Sequence, residues 1–396
     1  MRIFGNELKK LLDWKLLLLL AVFTGLFYYM FLNFDLVNYY PNGHAAAESL
    51  ELGKRILAKY GPTIDRTEQK EFESVDYPAI KQAADRELAG IKEFREAKIT
   101  TVEEYDTLGD KTDDASRELF NKLSNALNKT IPLKPIRPDA SYMYQEARDT
   151  VSSFHDAESA SKARIAYAPA GAARERIEQL EKRAATEGTP VLPKWPIMTS
   201  WAEMTMSLSV LLLFTVAIFV SPYLVHERRS GVRSLAYTCR KGRPLFATQF
   251  EAALVIAALA EAVQLTVFLT LFHTGPHRDD LLFLGCDISY GNGLWRDMTF
   301  GQYIALSCVI LFLLAFGFAM VSFAVSKWCK NYIAVLAAQI PLLFLAAKLC
   351  GGILGTLFSV NRPPYFTPVV CAACVLLPLG GCLFLNHREK TADILS

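Results

Sequence analysis

Two kinds of residue in this chain could do chemistry: polar groups set inside long apolar stretches, and a dense run of cations between two such stretches. Glu261 and Gln264 stand three apart in LVIAALAEAVQLTVFLTLF, and Lys348 stands in IPLLFLAAKLCGGIL. A charge at bilayer depth costs at least about 2.5–3.5 kcal/mol on insertion scales, so such a group faces a cavity or a partner. Glu261, Gln264 and Lys348 are therefore candidates for lining a translocation path, or for a structural Glu261–Lys348 pair that holds helices in register. The second group spans 224–247, where Arg228, Arg229, Arg233, Arg240, Lys241 and Arg243 face one carboxylate, Glu227. Gly242 suits a tight bend and Pro244 the first turn of a following helix, so this run reads as a rigid basic protrusion between two helices. His273 and His277 are four apart, but Gly275-Pro276 between them disrupts the helical face that a metal pair would share. There is no zinc-type Cys/His cluster, no phosphate-binding loop of the form G-x-x-x-x-G-K-[ST] and no membrane-embedded histidine near Glu261. No catalytic residue, metal site or bound cofactor is assigned to the chain.

The elements that must position these groups follow from hydropathy. The mean over 396 residues, +0.21, averages a highly charged region, 34–198, with a largely apolar one, 199–386. Net charge is only +2, and no basic–aromatic stripe is present, which argues against nucleic acid as a partner. A helix crossing a bilayer needs roughly 20 mostly apolar residues and meets lipid on its free faces. Six stretches qualify, near 16–33, 204–225, 250–272, 301–326, 331–356 and 366–386, with Pro341 and Pro378 inside the last two. Arg2, Lys9, Lys10 and Lys15 precede the first, as in a signal peptide, but no A-x-A cleavage site follows, so it reads as a retained span. Cations near the N-terminus, in 224–247, at Lys327 and Lys330, and at Arg388 and Lys390 place these regions, and both termini, in the cytoplasm. By alternation 34–198, 273–300 and 357–365 face outward.

The charged region reads as a helical domain. A helix should end at Gly61-Pro62, another should begin at Pro78, Thr101-Val-Glu-Glu104 forms a capping-box pattern, and further helices are expected near 112–128, 140–165 and 172–187. The domain is either a gate that receives substrate or a solvated spacer. All eight cysteines fall outside 34–198, so it has no disulfide of its own. The expected organisation is 1–15 an interfacial helix, 16–33 the first span, 34–198 the outer domain, 199–386 spans two to six with the loop at 224–247, and 387–396 a cytoplasmic tail.

The loop carries a resemblance. Glu227, Gly231, Leu235, Thr238, Gly242 and Arg243 stand as in the first cytoplasmic loop of ABC-2 type transporter permeases, where a Glu after span two is followed by Gly and then by a Leu…Thr…Gly-Arg run. The family usually has a basic residue where this chain has Gln249. Asn6–Lys15 looks like the family's interfacial connecting helix, with Leu8, Leu11 and Leu12 on one side and cations on the other. Met298–Tyr303 and Ser326–Asn331 look like the Gram-positive bacterial members. The resemblance covers the first 33 residues and about 199–390.

This resemblance implies an all-α membrane protein of the type V ABC exporter kind, located in the cell membrane as a homodimer or as a heterodimer with a second permease. Its partner would be an ABC ATPase in two copies, which alone would bind ATP and Mg, and the cargo would be an amphipathic peptide, lipid or drug moved outward. The implied ATPase-coupling residues are Glu227, Arg228, Gly231, Thr238, Arg240, Gly242 and Arg243. The alternatives are that these cations only fix topology, and that the chain is a membrane-embedded sensor or an enzyme such as an intramembrane protease.

Overall fold

A computed structural model describes residues 2–33, 44–130, 140–192, 194–229 and 245–391. The chain divides into two compact units, one made of Met1–Val37, Trp201–Arg278 and Gly301–Ser396, the other of Asn38–Ser200 and Asp279–Phe300.

The first unit holds a short helix, Arg2–Leu11, and helices long and apolar enough to cross a membrane: Trp14–Leu32, Ile197–Arg228, Leu245–Thr274, Phe300–Trp328, Tyr332–Leu354 and Phe366–Lys390. A helix satisfies its own backbone polar groups, which is the condition for crossing hydrocarbon. The chain is thus an all-α, multi-pass membrane protein. Asp13 caps the first span by accepting from the Lys15 N–H at 3.1 Å, and Asn331 caps the fifth by accepting from Ala334 N–H at 2.8 Å. Ser221-Pro222 interrupts the second span, between a helix ending at Val220 and one starting at Tyr223. Pro341 and Pro378 lie inside helices that continue past them.

The spans are unequally packed. Within their most apolar windows the second is 78% buried, against 11% for the first, 22% for the fifth and 17% for the sixth. The second span is therefore the hub, and the exposed Leu19, Val22, Phe344 and Leu377 belong to faces suited to lipid. Spans four and six meet at Gly317, where a Cβ would stand 2.2 Å from the carbonyl oxygen of Cys374. Small residues allow this close backbone approach between helices in a membrane. The short N-terminal helix departs from its expected face: Leu12 is 48% exposed, while Glu7 and Leu11, one turn apart, are buried and the helix packs against the third span.

The second unit is helical with one two-residue antiparallel ladder, Thr63–Ile64 against Thr189–Pro190, which ties its beginning to its end. Gly188, at φ +98°, makes that closure possible, since a Cβ there would meet the Ile64 carbonyl oxygen at 2.9 Å. The helix His44–Tyr60 stops at Gly61, which takes φ +90°. An α-helix begins at Tyr77, with Pro78 in its first turn as expected, and it continues a helical path that starts further back. That path starts at the Asp65 capping box, passes through a π-helical segment at Phe72–Asp76, and runs on through Tyr77–Gly90. In that segment Tyr77 N–H reaches back to Phe72, a widened turn just ahead of a residue that has no N–H to donate. The Thr101–Glu104 capping box is present, and the 140–165 stretch is split into Ala140–His155 and Ala157–Tyr167. Leu52, Phe72, Leu88, Phe94, Leu123 and Met143 lie in the core.

This unit takes in more than 34–198. Residues 279–300 belong to it through Lys54 to Asp279 (2.7 Å), Arg183 to Asp287 (3.2 Å), Arg176 to Asp297, and the Arg164 guanidinium over the Tyr290 ring (4.2 Å). It therefore contains one thiol, Cys286, which is buried and whose pKa burial pushes up to about 11.

The contact at Gly317 supplies a test. Gly317→Val should overpack the interface at a cost of about 1–3 kcal/mol and lower the melting temperature in detergent. Gly380→Ala, where nothing lies within 4 Å of an added Cβ, should leave it unchanged. Equal melting of the two variants would contradict this packing.

Candidate functional site

At one end of the first unit a buried carboxylate gathers three helices. Glu227, 7% exposed, stands at the end of the second span. Its Oε1 accepts from Lys10 Nζ of the N-terminal helix at 2.7 Å, and its Oε2 accepts from Gln249 Nε2 at the start of the third span. Lys10 also donates to Glu7 Oε1 at 2.7 Å, and Glu7 Oε2 accepts from the Tyr223 hydroxyl, one turn before Glu227. Burial opposes the charge on Lys10, but the hydrogen bonds to Glu227 and Glu7 outweigh it and hold the lysine pKa above its ordinary value.

The same end is tied more widely. Arg228 donates to the carbonyl oxygens of Cys329, at 2.6 Å, and Lys327, satisfying groups left open where the fourth span ends. Leu224 N–H donates to Ser326 Oγ at 3.3 Å, His226 meets the Tyr332 hydroxyl at 3.2 Å, and Lys327 pairs with Glu389 of the sixth span. The N-terminal helix and the starts of spans three and five thus meet the ends of spans two and four, and the end of span four meets that of span six.

Of the candidate coupling residues, Glu227 and Arg228 sit in this junction. Gly231, Thr238, Arg240, Gly242 and Arg243 lie outside the described residues. Sequence reasoning missed Glu7, Lys10, Tyr223 and Gln249 as members of one network. A signal was present in Glu7, a lone acid three residues before Lys10 on a cationic helix, and in Gln249, an uncharged residue where the resembled family is basic.

The mid-span candidates are not brought together. Glu261 is fully buried, and neither carboxylate oxygen has a hydrogen-bond partner among the described residues. Gln264 donates through Nε2 to Thr24 Oγ1 of the first span at 3.2 Å, while its Oε1 has no partner among them. Lys348 is exposed, and no ion pair joins it to Glu261 among the described residues. His273 stacks near Trp201 (6.5 Å, 17°) and His277 on Phe272 (4.2 Å, 7°). The helix ends at Thr274, between the two histidines.

Two of the clefts among the described residues of the second unit carry charged groups beside aromatic ones. One, of about 260 Å³, is bordered by Lys59, Tyr60 and Asp76. Lys59 bridges Asp76 (2.8 Å) and Glu71 (2.9 Å), which raise its pKa. The other, of about 410 Å³, is lined by Tyr105, Phe120, Tyr142 and the Asp106–Arg148 pair. Burial raises the Asp106 pKa despite the nearby Arg148.

No family model, curated protein or solved structure matches the chain. Function is therefore read from the chain's own residues.

Lys10 and Glu227 should prove coupled. In a double-mutant cycle of Lys10→Met and Glu227→Gln on detergent-solubilised protein, the interaction should be about 0.5–1 kcal/mol, reduced from a fully buried pair because the lysine is partly exposed. Since folding raises the lysine pKa above its usual 10.5, the contribution is complete below that pH and lost as pH climbs through the raised value. Additive effects of the two substitutions at neutral pH would count against the junction.

Proposed function

We propose that this chain is the membrane subunit of an ATP-binding cassette exporter of the ABC-2 type, with its termini in the cytoplasm and its second unit, 38–200 with 279–300, outside the cell. The cell membrane would be that of a Gram-positive bacterium. Two permease halves, identical or not, would move an amphipathic peptide, lipid or drug outward, powered by two copies of a separate ATPase that bind ATP and Mg.

The observation that carries this reading is the position of Glu227. In the sequence the basic run 230–244 joins Glu227 to Gln249, two residues that bond each other, and Lys10 of the N-terminal helix bonds the same Glu227 carboxylate. A push on that loop would meet a braced junction of the N-terminal helix with spans two and three, not two free helix ends. The pattern Glu227, Gly231, Thr238, Gly242, Arg243 also exceeds what topology needs, because orientation depends on charge alone. The chain has no phosphate-binding loop, so energy would have to come from a partner.

The test is co-purification from native membranes followed by reconstitution. The exporter reading expects an ATPase with its own phosphate-binding loop to co-elute, and ATP-dependent export from proteoliposomes. Arg240→Ala with Arg243→Ala should leave the protein inserted and ATP hydrolysis intact but abolish most export. Unchanged export by this variant would remove the coupling role, and turnover of a substrate without ATP would favour a membrane enzyme.

A further inference from the structure

Glu261 is buried where the third span is most apolar, yet nothing placed around it answers a negative charge. Among the described residues neither oxygen has a partner, and one turn on along the same face the Gln264 Oε1 is also unmet, although the other end of that amide is held by Thr24. An ionised carboxylate with no partner in an apolar interior neutralises in preference to staying charged. A carboxylic acid, in contrast, brings the donor that the Gln264 carbonyl lacks.

The charged groups on the elements packed against this span stand toward its ends. Glu7 and Lys10 of the N-terminal helix and Glu227 of the second span cluster about Gln249, roughly 18 Å along the helix axis from Glu261. Lys327 of the fourth span lies over the Phe246 ring at the start of the third and pairs with Glu389 of the sixth, beside Arg388 and Lys390. Lys15 precedes Thr24 of the first span by about 14 Å of helix. Glu203 neighbours Trp201, which packs on Phe272 at the opposite end of the third span. On the third span itself Glu251 is exposed, ten residues or about 15 Å of helix before Glu261, and His273 stands near the far end. The other titratable side chains along the neighbouring spans are hydroxyls and thiols, among them Tyr28, Tyr29, Tyr303, Cys308, Cys350, Cys371, Cys374 and Cys382. Lys348 is exposed and unpaired with Glu261.

We propose that Glu261 is a proton-binding site within the third span, holding a proton as a neutral acid with Gln264 Oε1 as its adjoining acceptor. Rearrangement of the first and third spans about the Gln264–Thr24 contact would expose the site, letting the proton leave or return. The site does not depend on the exporter reading, because a six-span chain of any function would face the same requirement at this position.

The test is labelling of the full-length protein in lipid nanodiscs with dicyclohexylcarbodiimide, which reacts with protonated carboxyls in apolar surroundings, read by peptide mass spectrometry. Glu261 should be modified at neutral pH. Modification should fall about tenfold per pH unit once the pH exceeds the site's own pKa, and should be indifferent to sodium at fixed pH. Glu261→Gln, which matches the neutral acid in shape, should abolish the label and keep the wild-type melting temperature. Absence of label at every pH would overturn the proposal. So would protection by sodium, which would make the ligand a metal ion, or a large loss of stability in Glu261→Gln. None of these readouts needs an ATPase or a cargo, so they stand whether or not export is found.

Discussion

A carboxylate taken out of water must be answered by donors, and at Glu227 the donors come from two other helices. Lys10 and Gln249 are 239 residues apart in the chain but bond the two oxygens of one side chain. The consequence is positional: the amphipathic N-terminal helix is not simply laid on the bilayer by its leucines but fastened to spans two and three. This explains why its buried face runs through Glu7 and Leu11 and leaves Leu12 outside. Arg228 extends the same logic by capping the carbonyls at the end of span four, so the second span, the most buried of the six, is tied at this end to its neighbours. On the exporter reading, this is the place where force from an ATPase would enter.

The second unit solves a different problem with the same means. Without a disulfide it depends on an apolar core and on charge pairing between distant segments. Its arginines do this work unevenly. Arg183 with Glu187 is an exposed pair within one helix, worth little on its own. Arg164 is held by the buried Glu181 and stacks on Tyr290, and Arg176 reaches both the Leu294 carbonyl and Asp297. These contacts recruit 279–300, which the chain order places between two spans, into the fold of a domain that otherwise lies between two others.

The apolar spans and the helical character of the charged region could be read from the chain because both depend on local pattern. The capping box at Thr101 shows the same, since it is complete within four residues. Pro78 marked the start of the α-helix Tyr77–Gly90, but not the π-helical segment Phe72–Asp76 that joins it to the helix before, which only the backbone shows. The Glu227 network was unreadable as a whole because its members are hydrogen-bonding partners across 217 and 22 residues, and a sequence records types, not partners. Lys348 was paired with Glu261 on charge alone. The spacing of two helices says nothing of which faces meet, and here the lysine is exposed while the glutamate is enclosed.

Two buried glutamates of the apolar region, Glu227 and Glu261, define the physical division of the first unit. Glu227 lies within reach of the amphipathic helix and of polar chain ends, where a lysine can pair with it while keeping its stem along apolar surface and its head partly in water. Glu261 lies too deep for any such side chain to reach from either end, and its neighbours along the helix offer an amide whose donor end is already used. A fixed ion pair can therefore be built at the first position and not at the second. It follows that the charged junction is suited to rigid attachment, whereas the mid-span carboxyl can change its state only by exchanging a ligand small enough to reach it. The third span carries both, with Gln249 near one end and Glu261 at its middle, so a shift of this helix driven at the junction would also alter the surroundings of the buried acid.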